Sequence, residues 1–194
     1  MNLPPLILAS ASPRRAELLR QVVSEFQIVS SDAAEVHDEQ LTAWEMAQVN
    51  ACRKARSVAK SFPDMLVLAA DTLVYLDREN KLFGKPATLE DAFQMLTGLQ
   101  GRTHAVITGI CLLHLRGHRQ RVFAEWTDVK FHPLSSEQIR EYLALVNPLD
   151  KAGAYAIQEH GEKIVAAVSG SYSNVVGLPV ERLRAELNAW QRAV

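Results

Sequence analysis

The sequence lacks the features that define several large classes of protein. It contains only two cysteines, Cys52 and Cys111, too few for a disulfide framework and without the spacing of a zinc site. No apolar run approaches the roughly 20 residues that cross a bilayer, so we expect no membrane association. Basic and acidic residues balance at 21 against 22, which argues against nucleic acid as a partner. We therefore expect a cytoplasmic protein with reduced, buried thiols.

What is present is the composition of a globular domain. Hydrophobic residues make up 48% of the 194 residues and charged residues 22%. A chain of this length buries about 70% of its unfolded surface, enough for a full core. Because no repeat or linker-like tract interrupts it, we predict a single domain over residues 1–194. The apolar start at Leu6–Ala9 has no basic residue before it, and we interpret it as a first strand rather than a signal peptide.

The pattern of apolar runs and helix-start signals predicts alternating strands and helices. Thr42, Thr88 and Ser135 each precede a helical segment as N-cap residues. These three helices are expected to end near Lys60, Gly98 and Val146. Strands are predicted over residues 6–9, 65–70, 104–115, 121–131 and 164–168, and a last helix over residues 179–190. The order favours an α/β or mixed α+β fold.

The segment from Ser10 to Arg15 has the chemistry of an anion site. Ser12 is placed to cap a helix that Pro13 begins, and the unpaired N–H groups of a helix start attract anions. Arg14 and Arg15 lie in the first turn, where a cation is unfavourable unless a bound anion relieves the conflict. The alternative at this point is a capped surface helix with two solvated arginines.

Two further residues stand where a cleft forms in α/β proteins. Asp71 directly follows the predicted strand over residues 65–70, and a carboxylate there can activate water or hold a divalent ion. A turn aspartate without chemistry is the alternative. Lys85 lies between Gly84 and Pro86, which restrict the backbone, but the segment lacks the spacing of a P-loop.

Five segments in order resemble the Maf family of nucleoside triphosphate pyrophosphatases. They are LILASASPRR at residues 6–15, ADT at 70–72, GKP at 84–86, DKAGAYAIQ at 150–158 and GSYSNVVGLP at 170–179. The resemblance runs from about Leu6 to Leu187. It implies a mixed α/β fold with two lobes, a mixed sheet flanked by helices and a central cleft, similar to inosine triphosphate pyrophosphatases. It also implies an enzyme that needs Mg²⁺ or Mn²⁺ and cuts a nucleoside triphosphate to the monophosphate and pyrophosphate.

The resemblance also implies roles for individual residues. Asp71 corresponds to the general base that takes a proton from the attacking water. The residues that correspond to the phosphate-binding positions are Ser10, Arg14, Arg15, Lys54 and Lys85. Glu35 matches an acidic position near the site and, with Asp71, is expected to hold the metal. Arg53 is a departure, because many members carry an acid directly before the lysine.

Three positions resemble those that distinguish the branches of the family by base. Arg14, Thr72 and Gln158 match the branch that acts on dTTP and UTP. Uracil and thymine present one N–H beside carbonyl acceptors, and a glutamine amide offers both an acceptor and donors. Modified pyrimidine triphosphates are expected as further substrates.

Two other functions stay open within the resemblance. One is a 7-methyl-GTP pyrophosphatase, whose branch carries a bulky aromatic residue, Gln and Glu at the three positions. The other is a nucleotide-binding regulator of septum formation with little turnover. Because members of the family often dimerise, a homodimer is also compatible with the resemblance.

Overall fold

A computed structural model describes residues 3–192, which form two compact units. Unit 1 comprises the chain up to Asp71, Thr108–Glu125 and the chain from Gly177, and unit 2 comprises Thr72–Ile107 and Trp126–Val176. Seven strands form a mixed sheet in the order β2-β1-β3-β5-β6-β7, and β4 pairs with β3. Six α-helices accompany the sheet, so the predicted mixed α/β fold is confirmed. In the part of the chain described, no helix has the length and apolarity to span a membrane.

The strands and helices alternate through much of the chain. The strands are β1 (Leu6–Leu8), β2 (Gln27–Ile28), β3 (Leu66–Leu76), β4 (Lys81–Phe83), β5 (Thr103–His114), β6 (Arg119–Phe131) and β7 (Val165–Ser169). The helices are α1 (Pro13–Arg20), α2 (Ala43–Ala59), α3 (Leu89–Leu99), α4 (Ser136–Leu145), α5 (Tyr172–Val176) and α6 (Val180–Arg192). The short elements β2 and α5 were not predicted, and no bounds were predicted for β4.

The predicted helix starts are confirmed, and the ends of α2, α3 and α4 lie within one residue of the predicted ones. Ser12 caps α1, and Thr42, Thr88 and Ser135 each form a capping box at the start of α2, α3 and α4. Gly98 does not end α3, which continues through Leu99. Glycine is tolerated inside a helix, and here the left-handed backbone comes at Gly101, with φ of 68°.

The third strand is longer than predicted, and this changes the position of Asp71. The strand does not end at residue 70 but continues to Leu76, because Leu73 and Val74 are also buried and β4 pairs with this second half. Asp71 therefore lies inside β3 and not after it, and it is only 3% exposed. The expectation that both cysteines are buried holds for Cys111 but not for Cys52, which is half-buried.

In unit 1, a close contact sets the position of α2 against the sheet. β1 pairs in parallel with both β2 and β3. α2 contributes Ala51, Ala55 and Val58 to the same hydrophobic core as Ile7 of β1. A Cβ atom added to Gly109 of β5 would lie 2.3 Å from the backbone carbonyl of Ala47. The absence of a side chain at Gly109 thus lets the backbone of α2 approach β5.

In unit 2, a buried histidine lies within an aromatic group of the core. The ring of His104 meets Phe131 and Tyr155 edge to face, with centroids 4.7 and 5.5 Å apart. Its Nε2 lies 2.8 Å from the Tyr155 hydroxyl, and its Nδ1 is buried without a hydrogen-bond partner among residues 3–192. Burial lowers the pKa of His104 to about 4, because a protonated ring would leave an N–H without an acceptor.

A second buried residue holds the segment that contains Tyr155 and Gln158. The hydroxyl of Tyr142, on α4, donates to the carbonyl of Ala156 at 3.3 Å and accepts from its N–H at 3.1 Å. Burial raises the pKa of Tyr142 to about 12, so the hydroxyl keeps the proton that it donates. The segment is therefore tied to the core of unit 2 at Ala156, directly after Tyr155.

We predict that His104 makes the protein less stable as the pH falls. Its folded pKa lies below the unfolded value of about 6.5, so only the unfolded chain takes up a proton between pH 6.5 and 4. The free energy of unfolding should drop by about 3 kcal/mol across this window through His104. Urea denaturation at pH 7.5, 5.5 and 4 should show that the free energy of unfolding falls less in His104→Gln than in the unaltered protein. Equal drops in the two proteins would contradict the prediction.

We predict that Tyr142→Phe destabilises the protein by about 1–3 kcal/mol, since it leaves the buried N–H of Ala156 without an acceptor. Tyr75→Phe is the matched control. It removes a hydroxyl that donates to Asn80 at 2.8 Å in an exposed position, and it should cost less than about 0.5 kcal/mol. Urea denaturation measures both values. A Tyr142→Phe protein as stable as Tyr75→Phe would show that the two hydrogen bonds contribute nothing.

Candidate active site

A serine in the turn after β1 and an arginine in the first turn of α1 are hydrogen-bonded to each other. Ser10 is buried, and its hydroxyl accepts from the backbone N–H of Ser12 at 3.2 Å and from Nη1 of Arg15 at 3.3 Å. Nε of Arg15 donates to the carbonyl of Gly177 at 2.9 Å. The GSYSNVVGLP segment thus supplies the acceptor that holds the guanidinium beside the start of α1.

Charges of both signs surround Arg15. Desolvation lowers its pKa, the neighbouring Arg14 lowers it further, and the carboxylates of Asp71 and Glu35 raise it. Because a guanidinium stays protonated even when its pKa falls, Arg15 remains cationic at neutral pH. The β1–α1 turn therefore lies within electrostatic reach of both acidic residues singled out in the sequence.

A lysine on α2 bridges those two acidic residues. Nζ of Lys54 lies 2.5 Å from Oδ1 of Asp71 and 2.7 Å from Oε1 of Glu35. The side chain of Asp71 is 4% exposed and that of Glu35 is 38% exposed. Arg53 points elsewhere, donating from Nε to the carbonyl of Ala34 at 3.2 Å. The departure from the family pattern at Arg53 therefore does not displace Lys54.

One residue of this group was not predicted from the sequence. Asn50, one helical turn before Lys54 on α2, is 1% exposed, and its Nδ2 donates to Oδ2 of Asp71 at 3.2 Å. The available signal was an amide on the apolar face of α2, between Ala47 and Ala51. Such a residue is expected to have a buried polar partner.

Six of the predicted site residues thus lie in unit 1: Ser10, Arg14, Arg15, Glu35, Lys54 and Asp71. They combine cations, a helix start and two carboxylates. This set of groups can bind a polyanion and can place a carboxylate beside it as a proton acceptor.

The other predicted residues lie in unit 2, and two of them are on motifs that contact each other. The N–H of Gly153, in DKAGAYAIQ, donates to the carbonyl of Gly84, in GKP, at 3.0 Å. Lys85 and Gln158, on these motifs, are exposed, and Thr72 is half-buried on β3. The exposed positions leave the Lys85 ammonium and the Gln158 amide accessible to a ligand.

The loop that carries Gln158 is also held by a buried lysine. Nζ of Lys151, 5% exposed, donates to the carbonyl of Asn147 at 2.6 Å and to Oδ1 of Asp150 at 2.9 Å. It lies 3.4 Å from Oε1 of Glu159, the residue after Gln158. Gln158 is therefore flanked by two contacts: Tyr142 holds the backbone of Ala156 before it, and Lys151 pairs with the side chain of Glu159 after it.

The two carboxylates in unit 1 fit a divalent cation that is shared with a ligand. Mg²⁺ prefers oxygen donors, and proteins commonly hold it through one or two carboxylates together with substrate phosphates. Across residues 3–192, no group of three or more His, Cys, Asp and Glu side chains is arranged to hold a metal. Glu35 and Asp71 could hold such a cation only together with ligands from phosphate and water.

Comparison with known proteins gives one consistent family. The family model described as Maf-like protein matches residues 5–190. The dTTP/UTP pyrophosphatase of Carboxydothermus hydrogenoformans is 44% identical over 186 residues, covering 95% of this chain and 98% of that protein. The dTTP/UTP pyrophosphatase of Symbiobacterium thermophilum is 47% identical over 179 residues, covering 91% and 89%.

Solved structures support the fold at greater distance. The Staphylococcus aureus Ham1 protein matches with a TM-score of 0.56 at 16% identity, covering 95% of this chain and 98% of that one. A HAM1 protein from Coxiella burnetii matches with a TM-score of 0.52 at 14% identity, covering 96% and 100%. At these identities the likeness concerns the fold alone, whereas the match over residues 5–190 concerns the sequence itself: the chain belongs to the Maf-like family.

Proposed function

We propose that this chain is a nucleoside triphosphate pyrophosphatase that hydrolyses dTTP and UTP to the monophosphate and pyrophosphate. The observation that carries the proposal is the group in unit 1, where Lys54 bridges Asp71 and Glu35 and where Arg15 is bonded to Ser10 at the start of α1. Relatives at 42–47% identity that carry the name dTTP/UTP pyrophosphatase support the substrate class. We expect it to act in the cytoplasm, and a homodimer stays a prediction.

The reaction needs charge neutralisation and one proton acceptor. Water attacks the α-phosphorus, the bond from that phosphorus to the α–β bridging oxygen breaks, and pyrophosphate leaves with that oxygen. In our proposal Asp71 accepts the proton of the attacking water, which its fixed position beside Lys54 supports. A divalent cation, when bound by Glu35 and Asp71, supplies positive charge to the phosphate oxygens.

The phosphate chain is proposed to bind at the cationic groups. Ser10, Arg14, Arg15 and Lys54 supply donors and positive charge in unit 1, and Lys85 is the proposed phosphate contact in unit 2. The planar guanidinium of arginine matches two phosphate oxygens at once, which favours it at such a site. Stabilising charge that develops on these oxygens is the main way in which an enzyme accelerates phosphoryl transfer.

Base selection is assigned to Arg14, Thr72 and Gln158. The Gln158 side chain is exposed, while its neighbours Ala156 and Glu159 contact Tyr142 and Lys151, so its amide is available to the edge of a uracil or thymine base. A base with the wrong donor pattern would leave polar groups unpaired in the complex, which costs binding free energy. Modified pyrimidine triphosphates that keep this edge are expected as substrates too.

We predict that pyrophosphate is released preferentially from dTTP and UTP. The test is a panel of dTTP, UTP, CTP, GTP and 7-methyl-GTP, each assayed for pyrophosphate with Mg²⁺ and with Mn²⁺. We expect kcat/KM for dTTP and UTP to exceed that for 7-methyl-GTP by at least about tenfold, corresponding to one or two hydrogen bonds. Preferred turnover of 7-methyl-GTP would instead assign the chain to the other branch.

We predict that Asp71→Asn lowers kcat for UTP by about 10²- to 10⁴-fold, because an amide cannot accept the proton of the attacking water. Asp64→Asn is the matched control, since Asp64 pairs with Arg116 at an exposed position and should leave kcat unchanged. Full activity in Asp71→Asn would refute the assignment of the base. The same variant tests the regulatory alternative, because a nucleotide-binding regulator of septum formation keeps its cellular effect without Asp71 chemistry.

A further inference from the structure

Asn50 makes three directed hydrogen bonds from a buried position on α2. Its Oδ1 accepts from the backbone N–H of Val36 at 2.7 Å, and its Nδ2 donates to the carbonyl of Val36 at 3.3 Å. The same Nδ2 donates to Oδ2 of Asp71 at 3.2 Å. One side chain therefore joins the strand that carries Asp71 to the loop that carries Glu35.

The chemistry of these partners allows only one orientation of the Asn50 amide. If the amide were turned around, its oxygen would face the carboxylate of Asp71 and its NH₂ group would face the N–H of Val36. Both contacts would then be repulsive, and buried polar groups would lose their partners. The donor that faces Asp71 is thus fixed by the bond that Oδ1 makes to Val36.

Asn50 lies on a face of α2 that binds the chain segment Asp32–Val36, which precedes the helix in the sequence. Four side chains on this face bond to residues of Asp32–Val36: Asn50 to Val36, Arg53 to Ala34, Lys54 to Glu35 and Ser57 to Asp32. Positions 50, 54 and 57 follow helical spacing. Of the four, Asn50 and Lys54 also reach Asp71 and hold its two oxygens separately.

We propose that Asn50 is a positioning residue that orients the Asp71 carboxylate and anchors the Glu35 segment to α2. The proposal rests on the proposed function, in which Asp71 accepts a proton from water. Lys54 alone binds one oxygen of Asp71 and leaves the carboxylate able to rotate about its bond to Cβ. The second bond, from Asn50 to Oδ2, removes that rotation, and small errors of orientation at a reacting group lower the rate strongly.

Two variants separate the two parts of this role. Asn50→Leu has a similar size and removes every hydrogen bond of the amide. Asn50→Asp has the same shape and keeps an acceptor for the N–H of Val36, but it cannot donate to Asp71. For each variant, steady-state kinetics with UTP and Mg²⁺ report on Asp71. Hydrogen exchange at the Val36 amide in the free protein reports on the loop, and thermal unfolding shows whether the variant is folded.

The proposal predicts a different pattern for each variant. Asn50→Leu should lower kcat by about tenfold to a hundredfold, the range expected when a supporting residue is lost, with KM changed less than about threefold. Its Val36 amide should exchange at least about tenfold faster than in the unaltered chain. Asn50→Asp should lose at least as much kcat while its Val36 amide stays protected. This second variant also covers the case in which Asn50→Leu fails to fold.

Ser57→Ala is the control, because it removes another bond between α2 and the loop, at 2.7 Å to Asp32, without touching Asp71. It should leave kcat within about twofold. An unaltered kcat in Asn50→Asp would overturn the proposal. An unaltered kcat in a folded Asn50→Leu protein would overturn it as well. A chain that does not hydrolyse UTP, or an Asp71→Asn variant that does so fully, would instead overturn the proposed function. The two failures are therefore distinguishable.

Discussion

The ammonium of Lys54, shared between two carboxylates, is the interaction on which the candidate site depends. Asp71 lies inside a buried strand, and an ionised carboxylate there is costly unless a charged and hydrogen-bonded partner accompanies it. Lys54 supplies the opposite charge and Asn50 supplies the second hydrogen bond. The same ammonium also pairs with Glu35, which lies in an irregular loop. One cation on α2 therefore holds together side chains from two separate parts of the chain.

Unit 1 collects charges of both signs through ordinary elements of an α/β fold. A parallel strand ends in a short turn, and the next helix begins with a serine cap, which leaves N–H groups and two arginines at one place. A carbonyl from the GSYSNVVGLP segment fixes the direction of Arg15. The cationic and acidic groups are therefore held by backbone contacts and buried pairs, so little of the site has to order itself when a substrate binds.

Local signals in the sequence predicted the helix starts, and the family resemblance singled out the candidate site residues, but neither showed how the side chains meet. Capping at Thr42, Thr88 and Ser135 is decided within four residues, so the sequence suffices there. The extent of β3 depends on its pairing with β4, which is a tertiary contact. Because the sequence did not show this pairing, the strand was predicted to end before Asp71, which in fact lies inside it. Asn50 escaped notice for a similar reason, since its partners lie 14 and 21 residues away along the chain.

The close approach of α2 to β5 at Gly109 limits which residues position 109 can carry. Any side chain there would collide with the main chain of α2 near Ala47 and push the helix outward. Lys54 and Asn50 lie on that helix, so an outward shift of α2 would lengthen their hydrogen bonds to Asp71. Gly109 therefore affects the geometry of the site although it takes no part in the chemistry. The separation of α2 from the sheet therefore depends on residue 109 carrying a hydrogen atom where every other residue carries a side chain.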